Sequence, residues 1–573
     1  MDALDDLLRA ALHEMDRGRH AEAAALLAPH AHLASNPLQR YLGESLRRSG
    51  QAQAAIGPLM QALALKIDDI DAYLQLAFAL QTLQMKSEAA ECFRTVAALR
   101  PDSVMAQAYQ AHGDQQCARW EDFDANLQSL HAALRAKPDA ADDEFGVPFA
   151  LAALPHAPAD LLKVARLSTR FLSRGIAALP PVRAIDKPRL RIGYLSSDFH
   201  AHATAALMVE VLECRDRARF EVLLFSHGPD DGSPLQQRVR AACDGFIDVG
   251  ALDAAGIAAR MRAEGVDIAV DLKGHTAGSR FTALAARPAP VQVAWLGFPG
   301  TCGADYIDYV IGDPIVTPLA DAPFYSERIA QLPRCYQPGD ATRRIVPTPR
   351  AALGLPEDAI VLLSANVVHK ILPPVFEAWM VLLHRLPSAL LWQLSGGEQA
   401  DARLREQAAR HGVAPERIVF MPPADMADHW NRLAAADLAL DTWPYNGHTT
   451  TSDALAAGVP VMTLRGDGFA SRVAESLLVE AGLPELVCET LDAYVERACA
   501  LVAGPKPTLR PWIDSPAFAR DLEALYLRMW DRAVAGLPPE ALPAMALPAA
   551  PAGDAGDAGD AGDAGDAGDA RRP

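Results

Sequence analysis

The chain has 573 residues, half of them hydrophobic, and its 53 Lys and Arg against 72 Asp and Glu give a formal net charge of -19. A chain of this length exceeds what one hydrophobic core can serve, so several domains are expected. The acidic surplus argues against a general nucleic-acid-binding protein, because phosphate backbones are held by surplus Lys and Arg.

The cysteines and the apolar runs bear on where the protein works. Its eight Cys are scattered, with no Cys-x-x-Cys pair and no zinc spacing, which indicates reduced thiols and no metal site. The first residues lack the basic and apolar segments of a signal peptide, and no apolar run reaches the ~18 residues that a membrane helix needs. We therefore expect a cytoplasmic protein without a membrane or nucleic-acid partner.

Residues 1–135 have a helical pattern that repeats. Apolar and Ala positions recur at a spacing of 34 residues, the length of a tetratricopeptide repeat. The matched positions are Leu42, Leu46, Ala55, Leu59 and Leu65 in one unit and Leu76, Leu80, Ala89, Phe93 and Leu99 in the next. Small Ala residues let paired helices approach, and neighbouring units bury each other's apolar faces. The period predicts a tetratricopeptide-like array whose groove binds a protein partner or substrate; an unrelated helical bundle is the alternative.

After a helical connector, residues 136–188, short apolar runs alternate with helices. The predicted strands are 190–196, 220–226, 265–271, 291–297 and 309–313 within 189–350, and 360–366, 389–395, 417–422, 438–441 and 459–464 within 351–515. This alternation predicts two doubly wound halves in tandem, each a parallel sheet with helices on both faces. Ligands of such sheets bind beyond the carboxyl ends of the strands, so the residues there are the candidates for function.

The end of the chain is predicted to be one helix and a tail. A C-terminal helix is predicted over 516–536 and a disordered tail over 537–573. The tail contains six Ala-Gly-Asp triplets, at 552–569, and this composition cannot bury a core.

In the second half, the stretch Asn446 to Asp453 lies between the run 438–441 and an Ala-rich helix. The first turn of a helix has unpaired N–H groups and the positive end of the helix dipole, and Thr449 and Thr450 add hydroxyl donors. The stretch is therefore a candidate site for a diphosphate. The alternative is that Thr450 or Thr451 only caps the helix.

Other polar residues of the second half also lie near strand ends. Asn366 to Lys370 follow the run 360–366, and His429 and Arg432 lie on a helix before the run 438–441. A lysine at this place would neutralise the charge that grows on a diphosphate leaving group, which is worth several kcal/mol in a dry cleft. A solvated surface lysine is the alternative for Lys370.

In the first half, Asp198, His200 and His202 follow the first predicted strand. They are candidate general bases, since His titrates near neutrality and a carboxylate can orient it. We expect one of the two histidines to face the cleft, and the pattern does not decide which. No third ligand stands at metal spacing, so no metal is expected. Lys273 to His275 and Leu296 to Gly300 follow later strands, and the glycines of the latter are typical of a loop close to a ligand or of a plain turn.

These segments, in this order, resemble the O-linked N-acetylglucosamine transferases of nuclear and cytoplasmic proteins. The segments that carry the resemblance are the repeats, 193–199 (Gly-Tyr-Leu-Ser-Ser-Asp-Phe), 295–301 (Trp-Leu-Gly-Phe-Pro-Gly-Thr), Lys370 and 446–453. The resemblance extends to about residue 536, with the short repeat array of bacterial members. It implies an α + α/β fold, in which a tetratricopeptide-like α-solenoid precedes a GT-B body of two Rossmann-like domains.

The resemblance also implies an activity. It predicts inverting, metal-independent transfer of N-acetylglucosamine from UDP-GlcNAc to Ser and Thr hydroxyls of proteins, with no cofactor. The first half, 189–350, is then the acceptor side and the second half, 351–515, is the nucleotide-sugar side. The protein acceptor is expected along the groove of the repeats.

The site residues are implied by matching positions. The catalytic candidates are Lys370, His202, His200 and Asp198. The donor-binding candidates are Asn366, His429, Arg432, Asn446, Gly447, His448, Thr449, Thr450, Asp453, Leu296, Gly297, Pro299 and Thr204. Within these sets the resemblance places residues 448–450 and Lys370 at the diphosphate, Asp453 at the ribose, His429 and Arg432 near the uracil, and residues 296–299 around the sugar.

The chain departs from the family pattern at three places. Animal members have Gly-Asn-His where this chain has His200-Ala201-His202, so the reactive histidine is ambiguous; a Gln close to the lysine is Val367, and a Lys near the uracil is Met426. Two alternatives stay open. One is a protein-binding scaffold with a nucleotide-binding but weakly active body. The other is a GDP-fucose-dependent protein O-fucosyltransferase, although His448 favours UDP.

Overall fold

The computed structural model describes residues 2–545, so the predicted Ala-Gly-Asp triplets lie outside the described residues. Within 2–545, no helix combines the length and the apolar character needed to cross a bilayer. The eight cysteines are all present as free thiols.

The N-terminal array consists of paired helices. They are α1 (Asp2–Asp16), α2 (His20–Leu27), α3 (Asn36–Arg48), α4 (Ala52–Leu65), α5 (Ile70–Thr82), α6 (Lys86–Leu99), α7 (Val104–Gln116) and α8 (Phe123–Ala136). Helices α3, α5 and α7 begin 34 residues apart. Asp69 and Ser103, which precede α5 and α7, accept hydrogen bonds from the N–H groups of Ala72 and Ala106 and so cap both helices. The predicted repeat array is confirmed, and its period extends to a third pair of helices.

The connector joins the array to the first half. It contains α9 (Pro148–Ala152) and α10 (Pro158–Leu172). Leu161 and Val164 of α10 are buried with residues of the array. On its other side, Thr169 Oγ1 donates a hydrogen bond of 2.7 Å to the carbonyl of Cys302. Because both contacts lie on one helix, the connector holds the array directly against the first half.

The first half is a seven-stranded parallel sheet. Its strands are β1 (Leu190–Ser196), β2 (Phe220–Ser226), β3 (Gly245–Asp248), β4 (Ile268–Asp271), β5 (Val291–Ala294), β6 (Tyr309–Gly312) and β7 (Arg328–Gln331), and its helices are α11 (Ala203–Cys214), α12 (Pro234–Ala242) and α13 (Ala254–Ala263). The strand order is β3-β2-β1-β4-β5-β6-β7, with every neighbouring pair parallel.

The second half is a six-stranded parallel sheet. Its strands are β8 (Ile360–Ser364), β9 (Ala389–Leu394), β10 (Ile418–Met421), β11 (Leu438–Leu440), β12 (Val461–Leu464) and β13 (Val487–Cys488), and its helices are α14 (Pro373–Arg385), α15 (Glu398–Arg410), α16 (Met426–Leu433), α17 (Thr449–Ala456), α18 (Val473–Glu480) and α19 (Leu491–Ala503). The strand order is β10-β9-β8-β11-β12-β13. Two doubly wound halves in tandem were predicted, and this architecture is confirmed.

Both sheets reverse their strand order at one place. The reversal lies between β1 and β4 in the first sheet and between β8 and β11 in the second. In doubly wound sheets the crevice at such a reversal is where ligands bind. The loops that follow these four strands therefore form the part of each half to examine for a site.

The strand predictions fail mainly at short elements. β3, β7 and β13, which have four, four and two residues, were not predicted. The predicted strand 265–271 begins only at Ile268, and 291–297 ends at Ala294. The strand predicted at 291–297 stops early because Leu296 has a positive φ of 72°, which is incompatible with a β-strand.

The C-terminal helix α20 (Ser515–Val534) returns to the first half. There the hydroxyls of Tyr526 and Tyr194 lie 3.1 Å apart, and the Phe518 ring stacks on that of Trp295. The chain then adds one more contact, because Leu542 pairs with Ala330 of β7 and is 5% exposed. The prediction of a disordered tail from residue 537 is therefore wrong for the segment around Leu542, whose backbone and side chain are both used in packing.

Candidate active site

The loop between β11 and α17 is held by one carboxylate. Asp441 follows β11 and accepts hydrogen bonds from the N–H groups of Thr442 and Gly447 and from the hydroxyl of Thr463. A Cβ on Gly447 would lie 2.5 Å from the Thr450 hydroxyl oxygen, so only glycine fits there. Burial raises the pKa of Asp441 to about 6. The carboxylate thus pulls the loop tightly under the first turn of α17.

The first turn of α17 is open to an anion. His448 is the residue before the helix, and no side chain caps the turn. The Thr450 hydroxyl donates instead to Asn366 Oδ1, 3.0 Å away. The alternative in which Thr450 or Thr451 only caps the helix is therefore wrong. The first N–H groups of this helix therefore have no side-chain cap, and helix N-termini of this kind can bind phosphate.

His448 is fixed by two contacts. Its ring stacks on that of Tyr445 at 4.8 Å between centroids, and its Nε2 lies 3.2 Å from the carbonyl oxygen of Ala470. A carbonyl can only accept, so Nε2 carries the proton and Nδ1 is an acceptor. Burial, and then Lys370, hold the pKa of His448 well below its usual range. The imidazole is neutral at physiological pH.

Lys370 lies beside this loop. Its Nζ donates a hydrogen bond of 2.9 Å to the carbonyl of Asn446 and lies 4.0 Å from the centre of the Tyr445 ring. Burial lowers the pKa of Lys370 to about 8, while Asp441 acts in the opposite direction. The alternative of a solvated surface lysine is wrong, because the ammonium is held against the loop that precedes α17.

Two predicted donor residues support the loop from inside. Asn446 is fully buried, and its side-chain amide donates to the carbonyl of Thr442. Asn366 is also buried, and its Oδ1 accepts from Thr450. We correct their role accordingly: their side chains shape the site, and the Asn446 carbonyl holds Lys370.

The predicted ribose carboxylate, Asp453, lies one turn after the start of α17. Asp453 forms an ion pair with Arg343, which comes from the segment between β7 and β8. Burial raises the pKa of Asp453, and Arg343 opposes that effect. Nearby, Arg432 donates to the carbonyl of Pro422 and lies 3.2 Å from Nδ1 of His429. Arg343 also lies over the ring of Trp430, the neighbour of His429, so that α16 and α17 approach each other here; the nucleoside site expected at these residues stays a prediction.

The first half presents a buried ion pair after β1 and β4. Asp198 receives two hydrogen bonds from Lys273 Nζ, of 2.9 and 2.8 Å, and both side chains are 7% exposed. Burial acts to raise the pKa of Asp198, but His202 and Lys273 outweigh it and the pKa is lowered. Thr204 Oγ1 lies 3.4 Å from the same carboxylate. The carboxylate stays ionised and is a weak base.

The two histidines after β1 differ in position. His202 precedes α11, where its Nδ1 accepts a 3.1 Å hydrogen bond from the Thr204 N–H, and it lines the cleft. Burial lowers the pKa of His202. His200 turns toward Asp231, with 3.8 Å between Nδ1 and Oδ2. The prediction of His200 as a catalytic candidate is therefore wrong in its position, because the cap on α11 selects His202 for the cleft.

The loop after β5 approaches the strand end of β4 closely. A Cβ on Gly297 would lie 2.0 Å from the carbonyl oxygen of Leu272, so glycine is required. Leu296 has its positive φ here, and Pro299 lies with Trp443 and Ala470 around a second cavity of about 200 Å³. The loop thus shares a cavity with residues on either side of the loop that precedes α17; its role around the sugar stays a prediction.

A large cavity of about 1040 Å³ lies between the array, the connector and the first half. Its lining includes Gln81, Tyr109, His112, Phe149, Asp198, His202, Lys273 and Gly297. The array, the connector and the first half all contribute to it. It is therefore open to a ligand that contacts the array and the residues after β1 together. Over residues 2–545, no three His, Cys, Asp or Glu side chains converge closely enough to hold a metal ion.

Two site residues, Asp441 and Arg343, were not among the predicted ones, and Lys273 was a strand-end candidate without an assigned role. Asp441 follows a strand, so its position carried the same signal as Asp198 and Lys370. Arg343 carried no such signal, because it lies in a segment between the sheets and its partner is 110 residues away along the chain. Its contribution depends on the path of that segment in three dimensions.

Comparison with solved structures defines the class of protein. The O-GlcNAc transferase of Thermobaculum terrenum, solved as a point mutant, matches with a TM-score of 0.72 and 30% identity, over 90% of this chain and 99% of that chain. The protein is thus a tetratricopeptide-like α-solenoid joined to a GT-B body of two Rossmann-like domains, as predicted.

The sequence comparisons define the family. Residues 172–346 and 337–508 match Glycosyl transferase family 41. The chain is 33% identical over 456 residues to the probable UDP-N-acetylglucosamine–peptide N-acetylglucosaminyltransferase SEC of Arabidopsis thaliana, covering 74% of this chain and 46% of the relative. It is 28% identical over 479 residues to the UDP-N-acetylglucosamine–peptide N-acetylglucosaminyltransferase of Caenorhabditis elegans, covering 61% and 41%. The chain belongs to glycosyl transferase family 41, which confirms the resemblance, and it spans less than half the length of these two relatives.

Proposed function

We propose that the protein transfers N-acetylglucosamine from UDP-GlcNAc to Ser and Thr hydroxyls of cytoplasmic proteins, with inversion and without a metal ion. The observation that carries this proposal is the position of Lys370. Its ammonium group is held by the Asn446 carbonyl beside the uncapped first turn of α17. A cation and a helix N-terminus that converge in this way fit a diphosphate leaving group.

The second half would stabilise the departing nucleotide. In the transfer, the acceptor oxygen forms a bond to the anomeric carbon, and the bond from that carbon to the β-phosphate oxygen breaks. Negative charge then grows on the diphosphate. Lys370 and the N–H groups of α17 supply positive charge there, so they act in the transition state more strongly than in the ground state. Nδ1 of His448 remains as an acceptor for a sugar hydroxyl.

The first half would orient the acceptor. Neither polar group there is a strong base: Asp198 is held by Lys273, and His202 already accepts the Thr204 N–H at Nδ1. The neutral His202 ring therefore has its proton on Nε2 and donates a hydrogen bond into the cleft. We infer that the proton of the acceptor hydroxyl leaves to a phosphate oxygen or to water, while Asp198 and His202 hold the reacting groups in line.

The array would present the protein acceptor. The cavity of about 1040 Å³ connects array residues with those after β1 and β4, so an extended peptide laid against the array reaches the first half. The relatives named as peptide N-acetylglucosaminyltransferases support a protein substrate.

Binding and turnover distinguish the candidate functions. Calorimetric titration with UDP, GDP, UDP-GlcNAc and GDP-fucose identifies the nucleotide, and NMR of the glycosylated peptide reports whether the new bond has inverted configuration. We expect binding of the uridine compounds, a β-linked product, and unchanged turnover with EDTA. Binding without transfer to any peptide would support the scaffold alternative, and a preference for GDP-fucose would support the fucosyltransferase.

A further inference from the structure

Arg343 reaches the nucleoside end of the candidate site from outside both sheets. It lies in the segment that joins β7 to β8, and its side chain is only 6% exposed. Its guanidinium pairs with Asp453 Oδ1, and its Cζ lies 4.0 Å from the centre of the Trp430 ring. Arg343 Nε is buried and has no hydrogen-bond partner. A buried guanidinium with one unused donor is costly unless it has a further role.

The segment around Arg343 is attached to both halves. On the first half, Asp340 pairs with Arg238 of α12, and the Ala341 N–H donates to Glu210 of α11. On the second half, Arg343 pairs with Asp453, and the Val346 N–H donates to the side chain of Asn431. The position of Arg343 is therefore set by neighbours on each side, whereas the adjacent Arg344 is exposed.

We infer that Arg343 is a positioning residue for the nucleotide: it orients the Asp453 carboxylate so that its second oxygen is presented to the ribose hydroxyls. This inference rests on the proposed function, which places a nucleotide at this end of α17. Asp453 must be ionised to accept strong hydrogen bonds from hydroxyls. Burial favours its neutral form, and the guanidinium counteracts burial.

The Trp430 ring explains why an arginine serves here. A planar guanidinium stacks on an indole face and at the same time pairs with a carboxylate in its own plane. An ammonium group lacks this plane, so a lysine keeps the charge but does not orient the carboxylate as well.

The test compares ribose with deoxyribose on each variant. Dissociation constants of UDP, 2′-deoxy-UDP and 3′-deoxy-UDP are measured calorimetrically for the wild type, R343M and the control R344M. We expect R343M to bind UDP about 10-fold to 100-fold more weakly, the range for a lost hydrogen bond to a charged group. The wild type should bind at least one of the two deoxynucleotides more weakly than UDP by a similar factor. R343M should bind UDP and that deoxynucleotide with nearly equal affinity. R344M should match the wild type.

Two outcomes would overturn the inference. If R343M retained the wild-type ratio of deoxy-UDP to UDP affinity, its effect would be structural and unrelated to the ribose. If R343M bound UDP more tightly, Arg343 would be a competitor of the nucleotide. R343K, which keeps the charge, should bind UDP with an affinity between those of R343M and the wild type. If R343M does not fold, R343K takes its place in the same comparison.

Failure of the proposed function has a different signature. It would be seen in the wild type, as binding of GDP in preference to UDP or as absent transfer. In the first case the same ratios are measured with GDP and its deoxy forms. The role of Arg343 is judged only from the ratio of the affinities of two ligands for the same variant. The two failures are therefore distinguishable.

Discussion

His112 of the array lies against His369, the residue before Lys370, with their ring centroids 4.8 Å apart. Nε2 of both rings is buried and unpaired. Helix α7 of the repeats therefore packs directly on the segment that carries the cation of the candidate site. A change in the array can therefore reach Lys370 through this one contact.

The histidine contact should make the protein sensitive to acid. Burial lowers the pKa of His112 to about 4, below the ~6.5 expected in an unfolded chain. The unfolded state then binds more protons between these values, so stability is complete above pH ~6.5 and falls as pH decreases toward 4. For His112 alone the loss in the free energy of unfolding reaches at most about 3 kcal/mol. Urea unfolding at pH 7 and pH 5 measures the difference in this free energy.

Replacing the titrating ring provides the control. His112→Phe keeps a flat ring at the contact and should reduce the loss of stability between pH 7 and pH 5. His30→Phe, at an exposed position before α3, should leave the pH dependence unchanged. If the His112→Phe protein lost as much stability between pH 7 and pH 5 as the wild type, other groups would be responsible for the acid sensitivity.

Lys370→Met should reduce kcat much more than it reduces nucleotide affinity. The ammonium acts on charge that develops during departure of the diphosphate, so its loss should lower kcat about 100-fold to 1000-fold. UDP affinity should change by much less. Transfer assays and calorimetry measure the two effects, with the exposed Lys506→Met as control. Unchanged turnover in Lys370→Met would contradict the assigned role.

The rate should fall on the alkaline side. Burial lowers the pKa of Lys370 to about 8, so the ammonium is lost as pH rises through that value and kcat should decline with it. The charge of Asp441 raises this pKa. Asp441→Asn should therefore move the alkaline limb to lower pH, whereas Asp492→Asn, at an exposed position of α19, should not. The measurement is kcat against pH for the three proteins.

The Asp198–Lys273 pair should matter for stability as well as for the acceptor. Lys273→Met leaves a buried carboxylate unpaired, and such a loss costs about 3–5 kcal/mol. Adding Asp198→Asn removes the stranded charge and should recover part of that free energy of unfolding. Urea titrations of both variants, with the exposed Lys66→Met as reference, measure the effect. Additive losses in the double variant would show that the two side chains do not interact.

The sequence predicted the residues that follow regular elements. The sequence predicted a 34-residue period, and α3, α5 and α7 begin 34 residues apart, because each repeat buries the same apolar positions. Asp198 and Lys370 were found because strand ends of a doubly wound sheet meet at one edge. In both cases a local pattern is sufficient to locate the residue.

Residues placed by long-range packing could not be found in this way. The choice of His202 over His200 depends on the Thr204 N–H at the start of α11. The contact of Arg343 with Asp453 depends on how the joining segment runs across both halves. Burial of Leu542 depends on an open sheet edge at β7, which itself was not predicted.

The return of the chain to the first half sets an order of completion during synthesis. The second sheet is continuous between β8 and β13, and it can close once α19 has left the ribosome. The first half is made earlier, but Tyr194, Trp295 and the edge of β7 stay uncovered until α20 and Leu542 are added. The half that is synthesised first is therefore the half that is finished last.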